Sequence, residues 1–414
     1  MAARRNILLN FFLLFKFSVA TWNQLVSDST SSTTLAPRFG TITLVLNDTI
    51  AISGGCSSSC CYAPLSDTWI YQNNVWTNVS QSTILPSSRL YHSSSPISSS
   101  SSSSSSSLSF FVFGGTDIVN GELNDLWKVT FQSQSYIASW EEITISGTIP
   151  EARSGQSQNE IIETSDIGSF VIFGGESATA ILGDVWVYSS TKNIWSEILF
   201  SNGNDSPKER TQHASSIVSL SLSPNSILNA LIISGGSGSD GNDSNDLWLL
   251  PLISQSSWLF LGQGVDNLPS VRHGHSMWIS SLSSSSSSSS LESESESITE
   301  IELMFFAGQN CSFPDPNNFL NDIWKFTVSL TVTSDGKVSL TGGQEGTFTL
   351  IDNGSGIAPN PRTLGGLGQL QPTSSSKYGN GAVIYSLGFS GYNGGTDDRL
   401  HNDLWVYTTN STIN

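Results

Sequence analysis

The sequence predicts an all-β protein built from six repeated, four-stranded antiparallel units. Three observations carry that expectation. Asp-x-Trp recurs six times, at Asp67-Thr68-Trp69, Asp125-Leu126-Trp127, Asp184-Val185-Trp186, Asp246-Leu247-Trp248, Asp322-Ile323-Trp324 and Asp403-Leu404-Trp405. A repeat at this scale is read before any single segment. Most copies follow a short apolar run that ends in two glycines, and most are followed by another tryptophan.

The elements follow in order. Each unit opens on Pro-x-x-Arg or a variant of it, runs through the apolar strand to Gly-Gly, then Asp-x-Trp, then a spaced aromatic. Unit one has Pro37-Arg38, Gly54-Gly55, Trp69 and Trp76. Unit two has Pro86 to Arg89, Phe110 to Gly115, Trp127 and Trp140. Unit three has Pro150 to Arg153, Phe170 to Gly175, Trp186 and Trp195; unit four has Pro207 to Arg210, Leu231 to Gly236, Trp248 and Trp258. Unit five has Pro269 to Arg272, Met304 to Gly308 with Gln309 in place of the second glycine, Trp324, and Phe348 for the last aromatic. Unit six has Pro359 to Arg362, a looser second strand near Val383 to Tyr385, Gly394-Gly395 and Trp405. Residues after each Asp alternate, as in Trp69-Ile70-Tyr71, which reads as a strand. The Asp is expected to hold backbone N–H groups of the turn before it. The tryptophans are too large to leave in water and are expected to pack against a neighbouring copy. Unit six lacks a fourth strand, and Trp22-Asn23-Gln24-Leu25 has the form of one, so Trp22 and Trp405 are expected in one sheet that leaves no free edge.

Gly-Gly, Asn-Asp-Leu-Trp and a spaced tryptophan, opened by Pro-x-x-Arg-x-x-His, resemble the Kelch repeat. The resemblance spans essentially all of residues 21–414 and implies a single six-bladed β-propeller, of the kind found as the central domain of secreted galactose-oxidase-like proteins. Spacings of 58, 76 and 81 residues between some Asp copies depart from the family's period and imply loop insertions. The serine tracts at 93–109 and 280–297 lie between first and second strands and are expected to be disordered loops.

Charge and composition limit the partners. Acids outnumber bases 34 to 16 in 414 residues, for a net charge of −18. That balance argues against nucleic acid and anionic membrane surfaces. Residues 1–20 read as a signal peptide: Arg4 and Arg5, an apolar stretch from Ile7 to Phe15, and a small-residue site at Ser18-Val19-Ala20. The apolar stretch is too short to span a bilayer, so no membrane insertion is expected. Sequons at Asn47, Asn78, Asn242, Asn310, Asn353 and Asn410 agree with export to the secretory lumen or outside the cell. In that compartment Cys56, Cys60, Cys61 and Cys311 are disulfide candidates, with three complete pairings open.

Six arginines stand at one place in the repeat: Arg38, Arg89, Arg153, Arg210, Arg272 and Arg362. In a propeller they fall at one mouth of the channel. Two readings follow. The guanidiniums read an acidic protein or an anionic glycan, or each pairs with a carboxylate or carbonyl and locks the blades. Three residues beyond them stand Thr41, His92, Gln156, His213, His275 and Gly365; the histidines are expected to hydrogen-bond within their blade rather than hold a metal. No Gly-x-Ser-x-Gly or His-Glu-x-x-His occurs, and the paired copper histidines of the sugar oxidases find no match. No catalytic residue, cofactor or metal is therefore expected. The expected function is a monomeric, secreted, non-catalytic module that binds an extracellular protein or glycan through the mouth and its loops, Cys56 to Pro64 and Cys311 to Phe319 among them. The alternative is a carbohydrate-active propeller, a sugar oxidase or sugar-acid mutarotase, working at the same mouth.

Overall fold

The computed structural model describes residues 21–27, 35–46, 49–57, 64–79, 84–97, 107–132, 137–161, 166, 168–200, 206–223, 226–254, 256–265, 268–287, 296–310, 319–363, 366–369, 383–386, 389–390, 399–400 and 403–408. Among them are six sheets of four or five antiparallel strands and three short two-stranded ladders. None of the described helices is long and apolar enough to cross a membrane. The strands arise where the sequence alternates or runs apolar, and Gly-Gly or Asn turns end them.

Unit one pairs Ile42–Leu46, Thr49–Ser53, Thr68–Gln72 and Val75–Asn78 in sequence order. Unit two uses Ser93–Pro96, Ser107–Phe113, Leu126–Gln132 and Ile137–Glu142. Unit three uses Ser157–Glu160, Phe170–Glu176, Ile181–Ser189 and Ile194–Glu197. Unit four uses Ala214–Ser223, Ser226–Ser234, Asp246–Pro251 and Leu259–Gln263. Unit five uses Ser276–Ser287, Glu296–Phe306, Ile323–Thr333 and Thr347–Asp352, with Phe348 opposite Phe326 and an added strand, Val338–Leu340. Unit six uses Gly366–Gln369, Val383–Ser386 and Leu404–Thr408, and Thr21–Val26 supplies its fourth strand. There Trp22 lies opposite Tyr407, and its ring packs 4.7 Å from Phe306 of unit five.

The core is divided among the seams between units. One cluster joins Ile42 and Leu44 to Phe110 and Trp127; the next joins Phe111 and Phe113 to Phe170 and Trp195. Others join units three and four, four and five, five and six, and six and one. First strands are neighbours in the same cyclic order, from Ile42–Leu46 through each unit to Gly366–Gln369, which again adjoins Ile42–Leu46. A sheet in this arrangement buries both faces, so its strands read as apolar runs with little polar alternation. Phe170 to Phe173 are four consecutive buried residues.

Two expectations need correction. The serine tracts are not loops throughout: Ser93–Pro96, Ser107–Phe113, Ser276–Ser287 and Glu296–Phe306 are strands that extend into them. Serine is tolerated there because the small hydroxyls bond across strands, as between Ser284 and Thr299, and Ser95 is almost fully buried. The tract centres lie outside the described residues. In unit five the glycine pair is aligned one residue earlier than the sequence suggests. Ala307 and Gly308 take the Gly-Gly place, because the Ala307 carbonyl accepts from Arg272 as Gly54, Gly114, Gly174 and Gly235 do from their own arginines.

Candidate functional site

The six arginines of the mouth are not at its surface. Their exposure is only 0–3%. Each guanidinium grips the Asp of its own Asp-x-Trp in a two-pronged bond, the Nη1 contacts measuring 2.5–2.9 Å. Each Nε donates to the carbonyl two residues before it, for example Arg153 to Glu151 at 2.9 Å. The second Asp oxygen also accepts from the indole of its own tryptophan, at 2.6–2.8 Å. The Asp thus holds Arg and Trp side chains; the expected grip on backbone N–H groups is replaced. Burial works to raise the carboxyls of Asp67, Asp125, Asp184 and Asp246, but their arginine bonds outweigh it and hold all four below the ordinary value. Each guanidinium is buried and spends most of its five N–H donors on its own protein, so it presents no free fork to a ligand at the surface. Of the two readings of Arg38, Arg89, Arg153, Arg210, Arg272 and Arg362, these bonds support the bracing one. Their backbone joins units as well: Gly55 N–H donates to the Arg89 carbonyl and Gly115 N–H to that of Arg153.

Two residues past the first five arginines the chain turns left-handed. Gly40, Tyr91, Gly155, Gln212 and Gly274 have φ of 65°, 55°, 66°, 53° and 61°. Their backbones form a hoop from unit to unit: Tyr91 N–H donates to Gly40, Gly155 to Tyr91, Gln212 to Gly155 and Gly274 to Gln212, at 2.8–3.0 Å. The corresponding place in unit six, Leu364, lies outside the described residues, as does Gly365 beside it. Gly40 is needed for a second reason: a Cβ there would meet the Tyr91 ring at 3.3 Å.

Inside the hoop lies a cavity of about 170 Å³, lined by those five residues and by Thr41, His92, Gln156, His213 and His275. His92, His213 and Gln156 bond across units, where bonds within a blade were expected. His213 Nε2 is 2.9 Å from Ser157 Oγ of unit three, and Gln156 Nε2 donates to Ser93 Oγ and the Phe113 carbonyl of unit two. They fit because the preceding unit offers glycine: a Cβ on Gly54 would lie 2.7 Å from His92 Cε1, and one on Gly235 would lie 2.7 Å from His275 Cε1. Burial, reinforced by the adjacent Arg89 and Arg210, pushes His92 and His213 down to about 3. His275 is held well below its ordinary value by burial and Arg272. All three are neutral at pH 7. Among the described residues no group of three His, Cys, Asp or Glu is placed to hold a metal ion.

The loops between second and third strands rise around this mouth, since the segments leading into it pair with their starts, as Leu90 does with Thr116 and Ser154 with Glu176. In unit two the loop is a small hairpin, Thr116–Asp117 against Gly121–Glu122. Asp117 fixes its tip by accepting from the N–H groups of Val119 and Asn120 and from the Asn120 amide. Of the cysteines, Cys56 is fully buried against Phe39 and Leu90; Cys60, Cys61 and Cys311 lie outside the described residues. Asn78, Asn242 and Asn353 are exposed and Asn310 is half-buried, while Asn47 and Asn410 are not described. Sequence reasoning missed Tyr91 and Gln212; the signal was the glycine at their place in units one, three and five.

Comparison with known proteins agrees with this architecture. Residues 94–281 match the family model for the KLHDC2/KLHL20/DRC7 Kelch-repeats domain. The chain is 26% identical over 205 residues to the Rho GTPase-activating protein gacHH of Dictyostelium discoideum, covering 46% of this chain and 12% of that one. It is 28% identical over 123 residues to tRNA wybutosine-synthesizing protein 4 of Aspergillus fumigatus, covering 30% of this chain and 10% of that one. The matched region thus amounts to about a tenth of the length of either relative. These repeats and sheets, with the family match over residues 94–281, support a Kelch-repeat architecture.

Proposed function

We propose that the chain is a non-catalytic interaction module that engages a protein partner through the mouth face of a closed, six-bladed disc. Six seams in cyclic order and a fourth strand supplied by Thr21–Val26 support the disc. The observation that carries the binding reading is the unit-two hairpin. Its tip exposes Ile118 at 59% and Val119 at 88%, while buried Asp117 holds the backbone that presents them. Apolar side chains on a rigid loop form a contact surface with little ordering entropy left to lose on binding. The leader at residues 1–20, the sequons and the four cysteines support a secreted, glycosylated and disulfide-bonded form.

The two faces can be compared directly. A photo-crosslinking side chain at Val119 is expected to capture partner protein, whereas one at exposed Lys192, in the turn between third and fourth strands on the opposite face, is not. Equal capture from both positions overturns the reading.

A further inference from the structure

The mouth face carries a charge opposite to the one its arginines suggest. With Arg89, Arg153 and Arg210 turned inward, the face across units two to four presents Glu122, Glu151, Glu176 and Glu209, the last three exposed. None of the four has an ion-pair partner among the described residues, and Lys208 beside them is tied to Asp240 at 3.2 Å. Glu176 stands closest to the cavity by connectivity: its backbone exchanges hydrogen bonds with Ser154, the neighbour of cavity-lining Gly155. Its charge, added to burial, pushes the Tyr91 hydroxyl up to about 12.

The cavity adds an independent observation. His92, Gln156 and His275 are each more than nine-tenths buried. Yet His92 Nδ1, Gln156 Oε1 and both ring nitrogens of His275 have no protein partner. His92 bonds the Ser53 backbone, which assigns its proton to Nε2 and leaves a lone pair on Nδ1. Buried acceptors left unpaired call for a partner. Tyr91 and Gln212 at the rim hold left-handed backbones, a costly conformation for a residue with a Cβ. Strain of this kind collects at binding sites. At about 30 Å³ per water the cavity has room for roughly six waters, which suits one long side chain better than a sugar chain.

We propose that the mouth accepts a lysine or arginine side chain of the partner protein, drawn in by Glu151, Glu176 and Glu209 and held by the neutral acceptors of His92, Gln156 and His275 beneath the Tyr91 ring. This rests on the mouth face being the binding face, and it replaces the acidic partner that exposed arginines would have selected. A cation is favoured by the carboxylate field and by the aromatic face.

The test uses the full chain with labelled histidines and three twelve-residue Gly-Ser peptides, carrying lysine, glutamate or norleucine at the same three positions. The lysine peptide is expected to bind, to shift the imidazole signals of His92 and His275, and to weaken with added salt. In the double variant Glu176→Gln, Glu209→Gln its affinity is expected to fall by about tenfold, two exposed charges lost from the field. Both substitutions are at exposed positions, and an unchanged melting temperature separates lost binding from lost folding. If the glutamate peptide moves the same imidazole signals, the mouth is a binding site and the basic partner is overturned. If the lysine peptide leaves those signals still, or binds the double variant equally well, insertion into the cavity is overturned, while crosslinking from Val119 judges the binding face separately.

Discussion

An arginine buried beside its own aspartate is a structural strut, and its removal strands a carboxylate. Arg153 has no exposed surface and makes four hydrogen bonds, two of them to Asp184. Arg153→Ala is expected to cost about 3–5 kcal/mol in chemical denaturation, the usual penalty for breaking one side of a buried pair. Arg153→Lys recovers only part of it, because an ammonium cannot make the two-pronged bond. The histidines add a pH dependence at the same scale. His92 and His213 sit at about 3 in the folded chain, against an ordinary 6.5. Between those values the unfolded chain binds more protons, so stability is full above pH 6.5 and falls as pH drops from there toward 3. The depressed Asp67, Asp125, Asp184 and Asp246 carboxyls lose their contribution in the same direction below 3.8. Denaturant midpoints taken from pH 7 to pH 4 are expected to fall steadily, and less steeply in His92→Gln. The arginines could be picked out in the sequence by their repeated position. Their partner could not be, because 29 to 50 residues separate Arg from Asp in units one to five and spacing alone does not say which side chains turn toward each other.

At the scale of the element, the glycine pair that ends each second strand decides how closely units approach. A Cβ on Gly174 or Gly235 would lie 2.6 Å from the carbonyl of the next unit's arginine. Unit five places Ala307 there at φ 64°. Ala307→Gly is expected to raise stability by about 1 kcal/mol, left-handed strain relieved against the small entropy cost of glycine; thermal unfolding reads it as a higher melting temperature. This slip of one residue was hidden in the sequence because Gly308-Gln309 preserves a glycine near the expected place. The strands at Ser93–Pro96 and Ser276–Ser287 were hidden differently. Composition registers serine as polar and loop-forming, but a strand needs only backbone groups and a small enough side chain once its neighbour is an apolar strand such as Phe110 to Phe113. Elements with Phe, Ile and Trp in alternation or in runs were legible, since burial demands those residues.

For the whole molecule, the join between the two ends is the most consequential contact. Trp22 packs with Phe306, Trp405 and Tyr407. Trp22→Ala is expected to destabilise by about 3–5 kcal/mol, as large aromatic-to-alanine changes in a core do, with a matching drop in denaturant midpoint. The repeat order, the unit boundaries and this terminal strand could be read from the sequence, because each depends on residues that recur. The sign of the mouth could not, because it depends on which charges the fold turns inward. The end join also governs the order of events during synthesis. Thr21–Val26 can find its pairing strand, Leu404–Thr408, only after all the chain between them has been made. At about 5–20 residues per second that wait lasts roughly 20–80 s. Throughout it Trp22 and its neighbours have no sheet to join, so their apolar surface stays open to other contacts until the partner strand arrives.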